Sequence, residues 1–350
     1  MQQKIAVLTS GGDSPGMNAA VMEVARASAK AGLRLVGIKH GFNGLIGKFP
    51  KPSDNHTILS LDTVLDIADL PGTYLRTARC PEFFELEYQQ KAADFLKGMG
   101  VLGLVVIGGD GSYQGALKLS QLGMPCIGIP GTIDNDLAYT EMTLGFDTAV
   151  NVCVDAIRAI RATSRSHDRP AVVEVMGRHC GDIALSAAVS TGAEIVVVPE
   201  VTWSVEGVAR RLNELIAQGN TRATIVVAEG CWESMKPFDF CTFLNANGKK
   251  CFEGEPMSAP RFASVLKRKC GMVEARATVL GYTQRGASPT FRDSAFAFEA
   301  GNMAVQLLRN GISNQVIGVR QGRVFHMPIE RALKCTRRFN KKLYTLVNRL

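Results

Sequence analysis

Ile107-Gly108-Gly109-Asp110-Gly111-Ser112 and, a short way on, Pro130-Gly131-Thr132-Ile133-Asp134-Asn135-Asp136 decide how this chain folds. Val101 to Ile107 is an apolar run that stops at paired glycines and a carboxylate, and Cys126 to Ile129 stops at a glycine and two carboxylates. Apolar runs this short, bounded by glycine, read as strands buried on both faces. Two carboxylate loops at the carboxyl ends of adjacent strands bring a metal ion and a general base close together. Phosphoryl transfer needs that arrangement, because the protein's task there is to position groups and neutralise charge.

The same rhythm extends outward in both directions. Ile5–Leu8, Leu35–Ile38, Ala171–Val175, Ile195–Val198, Thr224–Ala228, Ala277–Leu280 and Val316–Val319 read as further buried strands. Helical patterns lie between them at Met17–Lys30, Ser112–Leu122, Thr148–Thr163, Cys180–Val189, Val205–Ala217 and Ala295–Arg309. Such alternation predicts an α/β protein with mostly parallel, doubly wound sheets, whose ligands bind at the carboxyl ends of strands. Lys48–Asp62 is polar and carries prolines, so it reads as a surface loop, and Asn245–Lys250 reads as a turn.

At 350 residues the chain suits two α/β domains. Its 46% hydrophobic and 21% charged residues fit a globular protein with a sizeable core, and no apolar run is long enough to span a bilayer. Met1–Ser10 reads as a first strand without a targeting segment, so a cytoplasmic protein with no membrane partner is expected. The formal net charge is +8, with seven basic and no acidic residues from Arg331 to Arg349. Aromatic residues are not interleaved there, so a solvated helix face is expected and no nucleic-acid partner. Nine scattered cysteines, none in a C-x-x-C pair, read as reduced thiols; the ten-residue spacing of Cys231, Cys241 and Cys251 matches no standard zinc pattern.

One further loop carries chemistry, and the two quoted first do so residue by residue. Thr9-Ser10-Gly11-Gly12-Asp13-Ser14-Pro15-Gly16 follows the first strand, where a phosphate contact and a tight structural turn are equally good readings. Asp110 reads either as a Mg²⁺ ligand or as the N-cap of the helix after it; the glycines on both sides favour the ligand. Of the two carboxylates at 134 and 136, one would deprotonate an acceptor hydroxyl while the other orients a neighbour. Arginines recur beside strands at Arg165, Arg169, Arg178, Arg276 and Arg285, and their planar forks suit phosphate oxygens.

Over nearly its whole length the chain resembles the ATP-dependent 6-phosphofructokinases of the bacterial type. The shared motifs are Leu8–Asp13, Ala78-Arg79, Ile107–Ser112, Pro130–Asp136, Val173–Arg178, Val198–Glu200 and Arg276–Gly281 with Gln284-Arg285-Gly286. The resemblance implies two α/β domains with the active site in the cleft between them. An ATP-binding domain would span 1–145 plus about 284–327. A sugar-phosphate-binding domain would span 146–283 plus about 328–350, with an extended insertion at about 231–271. By the same resemblance Gly12, Arg79, Cys80, Gly109, Asp110, Gly111 and Ser112 hold ATP, and Asp110 holds Mg²⁺. Asp134 takes the proton from the 1-hydroxyl of fructose 6-phosphate, with Thr132 and Asp136 beside it. Arg178, with Gly12, stabilises the transferring phosphoryl group. Met176, Gly177, Glu229, Tyr282 and Arg285 contact the sugar phosphate, and Arg169 and Arg276 reach into a neighbouring subunit's site, which implies a homotetramer with shared active sites. Glycine at both 111 and 131 favours ATP over pyrophosphate as donor.

The chain also departs from the family pattern. Tyr282 stands where a histidine is usual, and Cys80 and Phe84 stand where an aromatic and a basic residue are usual; Phe42 replaces a tyrosine that packs near adenine. At the implied effector site Arg26, Arg161 and Glu194 are kept, but Met22, Gln218 and Asn220 replace cations, so weak or altered allostery is expected. A catalytically weak regulatory paralogue, or a kinase for tagatose 6-phosphate or sedoheptulose 7-phosphate, are the alternatives. An NAD or lipid kinase has no need of the Thr132–Asp136 loop and the arginine set.

Overall fold

The computed structural model describes residues 3–236, 242–244, 250–252, 255–271 and 274–348. They divide into two units, Met1–Thr148 with Arg285–Arg337 and Ala149–Gln284 with Arg338–Leu350. The last crossing lies at 337/338, later than the 327/328 expected. The physical reason is pairing and burial: the final strand of the first unit bonds its neighbour in that unit, and Ile329 just beyond it is fully buried in the same core.

The first unit holds a seven-stranded sheet of β1 (Lys4–Thr9), β2 (Arg34–Ile38), β3 (His56–Leu59), β4 (Val101–Gly108), β5 (Cys126–Pro130), β13 (Gln315–Arg320) and β14 (Arg323–Pro328). Its order is β14-β13-β5-β4-β1-β2-β3, parallel except for the two edge strands. Ile5 and Val7 face one buried cluster while Ala6 and Leu8 face another, as a sheet covered on both sides requires. From β1 the chain runs outward to β2 on one side, and from β4 to β5 on the other. The strand order therefore reverses between β1 and β4, and that switch point is where an open α/β sheet offers a ligand crevice.

Lys48–Asp62 is not simply a loop. It contains a helical turn, Pro52–Asn55, and β3, which pairs antiparallel with β2. His, Thr, Ile and Leu at an edge bury one face weakly, so the alternation is too short to read from sequence.

Where the chain leaves this unit, two helices cap each other. Asp293, fully buried, accepts from the amides of Gly145 and Thr148, both at 2.8 Å, and from the Thr148 hydroxyl at 2.5 Å. The Thr290 amide donates back to Thr148 Oγ1 at 3.0 Å. Burial raises the Asp293 pKa while these bonds oppose the rise. Asp293→Ala leaves three donors unmet, and we expect it to lower unfolding free energy by about 3 kcal/mol. A urea midpoint shift equivalent to less than about 1 kcal/mol would count against this capping role.

The second unit holds a four-stranded parallel sheet of β6 (Ala171–Val175), β7 (Ile195–Val197), β8 (Thr224–Ala228) and β12 (Arg276–Val279), in the order β12-β6-β8-β7. β12, expected to be buried, is an edge strand with Val279 half exposed, because nothing among the described residues of its own unit pairs its outer side. The region 231–271 builds a small antiparallel sheet of β9 (Thr242–Leu244), β10 (Lys250–Phe252) and β11 (Glu255–Pro256), followed by the helix Ala259–Cys270. That helix sets Phe262 edge-on against Trp203 and Trp232, with ring centroids 5.3 and 5.7 Å away. Residues 245–249 of the expected turn, and Cys241, lie outside the described residues.

Candidate active site

In the first unit the switch point gathers most of the predicted nucleotide and catalytic residues. The loop after β1 is tied to β4 by Ser10 N donating to Ile107 O at 2.9 Å, and the loop after β5 by Gly131 N donating to Gly108 O at 3.0 Å. Gly12, Gly109–Ser112 and Thr132–Asp136 therefore leave three neighbouring strand ends. Asp110 is the first residue of the helix Asp110–Gln121 rather than its N-cap; Gly109 takes the cap position. Its exposed carboxylate accepts from Gln114 Nε2 at 2.7 Å, one turn along. Added Cβ atoms at Gly109 and Gly111 would meet no protein atom within 4 Å, so these glycines border open space at a helix N-terminus, where anions are favoured.

The Thr132–Asp136 loop is held rigidly. Thr143 Oγ1 donates to Thr132 O at 2.6 Å, Thr143 N donates to Asn135 Oδ1 at 3.1 Å, and Asp134 N donates to Thr132 Oγ1 at 3.2 Å. Asn135 takes the left-handed conformation at φ 53°, which aims the residues flanking it. Asp110 and Asp136 line one cavity of about 120 Å³, together with Arg337. Two carboxylates at one cavity suit a small hard cation that keeps water and phosphate oxygens as its other ligands. Among the described residues no group of three or more His, Cys, Asp or Glu could hold a metal ion.

Gly131 has a packing reason of its own: an added Cβ would lie 2.9 Å from Ile107 and 3.0 Å from Met17. Gly111, with open space beside it, is thus the glycine whose absent side chain matters to a donor. Arg285 also belongs to this unit, and its Nη1 donates to Asp13 O at 2.5 Å. An added Cβ at Gly12 would stand 2.9 Å from that guanidinium, so Gly12 is what lets Arg285 lie against the loop. Arg79 is exposed beside half-buried Cys80, and the Arg79 carbonyl accepts from Asn43 Nδ2 at 3.2 Å. Phe42 is core: it stacks on Phe83 with centroids 4.4 Å apart and fills the space beside Gly115. Phe84, by contrast, is 83% exposed.

In the second unit the loops after β6, β8 and β12 adjoin because those three strands are neighbours. Arg178 is left-handed at φ 52°, an uncommon state for a residue other than glycine, and follows Gly177 at φ 130°. Its amide donates to Glu229 Oε1 at 2.7 Å, so the predicted sugar contact Glu229 also pins Arg178. Gln284, fully buried, accepts from the Met176 amide at 3.1 Å and donates to Gly281 O at 3.0 Å, fixing the turn that carries Tyr282. Tyr282 itself is 84% exposed. Arg169 and Arg276 are elsewhere, at the amino-terminal edge of the same sheet, so within one chain they do not join Arg178, Glu229 and Tyr282.

A family profile described as Phosphofructokinase matches residues 4–308. The chain belongs to the phosphofructokinase family. It is similar to a Clostridium tetani protein named ATP-dependent 6-phosphofructokinase, 46% identical over 350 residues and 99% of each chain. A Clostridium perfringens protein named ATP-dependent 6-phosphofructokinase 1 is 44% identical over 348 residues, 99% of this chain and 98% of the other. Among solved structures the chain is similar to phosphofructokinase from Saccharomyces cerevisiae, at 31% identity and a TM-score of 0.80, over 95% of this chain and 45% of that one.

Sequence reasoning about this phosphofructokinase missed Thr143 and Gln284 as supports, since neither stands out by type or spacing. It also missed two cations at the implied effector site. Arg161 there is paired with Glu194 at 3.3 Å, and Asn220 Nδ2 donates to the same carboxylate at 3.1 Å. Arg165 and Arg222 line the same cavity of about 220 Å³. Arg26 pairs with Glu23 at 2.6 Å in the first unit. With part of its charge spent on Glu194, this cavity is expected to hold phosphoenolpyruvate weakly. Saturation with fructose 6-phosphate should stay close to hyperbolic when phosphoenolpyruvate is added, and strong sigmoidal inhibition would refute it.

Proposed function

We propose that this chain transfers the γ-phosphoryl group of ATP to the 1-hydroxyl of D-fructose 6-phosphate, giving fructose 1,6-bisphosphate and ADP as a cytoplasmic glycolytic enzyme. The observation that carries this is the pairing of β4 with β5, which sets the Asp110 loop beside the Asp134 loop on a rigid sheet. Asp134 accepts the proton of the 1-hydroxyl as that oxygen bonds to the γ-phosphorus and the bond to the β,γ-bridging oxygen breaks. The roles assigned to Arg178, Thr132 and the Gly12 loop are to stabilise the charge that develops on the transferred group. Gly109–Ser112 receives the nucleotide phosphates at the helix N-terminus, with Arg79 and Cys80 toward the rest of the nucleotide. Asp110 would hold Mg²⁺, with Asp136 at the same cavity; when bound, the ion neutralises phosphate oxygens.

Met176, Gly177, Glu229, Tyr282 and Arg285 orient the sugar phosphate. Arg169 and Arg276, at the far edge of their sheet, serve the site of a second copy, which supports a homotetramer with shared sites. The test is a coupled assay on a panel of fructose 6-phosphate, tagatose 6-phosphate and sedoheptulose 7-phosphate, each with ATP and with pyrophosphate. Turnover is expected with ATP and greatest with fructose 6-phosphate. No ADP formation from fructose 6-phosphate would sink the proposal, and calorimetric binding without turnover would identify a regulatory paralogue instead. Gly111→Asp should depress ATP turnover by about tenfold or more by crowding the open space beside Gly111.

A further inference from the structure

One carboxylate stands between two arginines of the second unit. Glu274 Oε2 accepts from Arg169 Nη1, and Glu274 Oε1 accepts from Arg276 Nε at 2.6 Å. Arg169 lies just before β6 and Arg276 opens β12; the two strands run parallel, with Arg276 opposite Ala171. The backbone thus delivers both arginines to the same end of the sheet, where two positive charges repel unless something lies between them.

Resting on the assignment of Arg169 and Arg276 to the 6-phosphate of the sugar, we propose that Glu274 is the positioning residue that holds these two guanidinium groups side by side, so that the phosphate dianion meets a preformed pair. Each guanidinium carries five N–H donors and gives Glu274 only one, from different positions on the two side chains. The remaining donors stay available to a phosphate. A glutamate that merely neutralised surface charge would not need one oxygen on each partner. Arg276 and then Arg169 hold the Glu274 carboxyl below the usual glutamate pKa, so it is charged where the substrate phosphate is a dianion. Ordering two long side chains in advance removes part of the entropy cost that binding would otherwise carry.

Arg169 is only 17% exposed whereas Arg276 is 65% exposed, so the clamp ties an exposed arginine to a largely buried one. Loss of the clamp is therefore expected in sugar-phosphate affinity, with the chemical step unchanged.

The experiment uses the full chain with Glu274→Gln, Arg169→Ala and the double variant, assayed with fructose 6-phosphate and ATP. Glu274→Gln should raise the KM for fructose 6-phosphate roughly tenfold while kcat and the KM for ATP stay within about twofold. Arg169→Ala should raise the same KM at least as far. The double variant should be no worse than Arg169→Ala alone, because the glutamate acts through that arginine. If Glu274→Gln leaves the KM unchanged while Arg169→Ala raises it, the positioning role fails and the phosphate assignment survives. An unchanged KM in Arg169→Ala overturns the phosphate assignment, and the clamp falls with it. A lower KM in Glu274→Gln would mean that the carboxylate competes with phosphate, which also overturns the positioning role.

Discussion

Asp134→Asn is expected to cut kcat by about 10³-fold while leaving the KM for ATP and for fructose 6-phosphate within about threefold, the size of effect that removing a general base has. The loop that carries Asp134 is held by bonds from Thr143. Thr143 binds the Thr132 carbonyl and the Asn135 side chain, and the Asp134 backbone amide adds a bond to Thr132 Oγ1. Ile133, fully buried, anchors the same loop from below. An asparagine has nearly the same shape, leaves these Thr143 and backbone bonds in place and removes the ability to accept a proton.

The split between kcat and KM is what makes the test decisive. A carboxylate that only bound the sugar would raise KM and leave kcat in place; one that takes a proton in the transition state lowers kcat and kcat/KM together. Full retention of rate by Asp134→Asn would remove Asp134 from the chemistry. A collapse of the loop would instead show as a loss of thermal stability, which Thr143→Val should reproduce and Asp134→Asn should not.

How much of this was legible in the sequence follows from where the signal is local. The strands β1, β4, β5, β6 and β8 were legible because central parallel strands must be apolar on both faces, and their glycine-rich ends marked the crevice. The helix Met17–Lys30 was legible to the residue because Gly16, left-handed at φ 90°, stops the chain from being helical any earlier. β3 was not, since an edge strand of His, Thr, Ile and Leu carries no burial pattern of its own. The separation of Arg169 and Arg276 from Arg178 was legible too, because Arg169 precedes and Arg178 follows the run Ala171–Val175, and Arg276 opens a later strand. Supports such as Thr143, Gln284 and Glu274 act across distances in sequence that no motif spans.

Gly230→Ala is the second substitution expected to have a large effect, although Gly230 is not itself among the residues assigned to the chemistry. Gly230 follows Glu229 at the end of β8, and a Cβ there would lie far inside van der Waals contact with the Arg178 carbonyl oxygen. That carbonyl belongs to a residue already in the left-handed region, held by the bond from its amide to Glu229. Strain of this kind persists only when the surroundings over-determine it, and here Glu229 and Gly230 are those surroundings. A methyl group at 230 has to push Arg178 out of its conformation or move β8, and the strand is buried. The loop is the softer element, so the displacement is taken up by Arg178. With Arg178 in its proposed role, a shift of about 1 Å costs on the order of 10²-fold, so kcat should fall by that factor with the circular dichroism spectrum unchanged. Glu229→Gln keeps an acceptor for the amide and should be much milder in kcat, whereas activity of Gly230→Ala within about fivefold of the parent would show that the Arg178 conformation is not what the site requires.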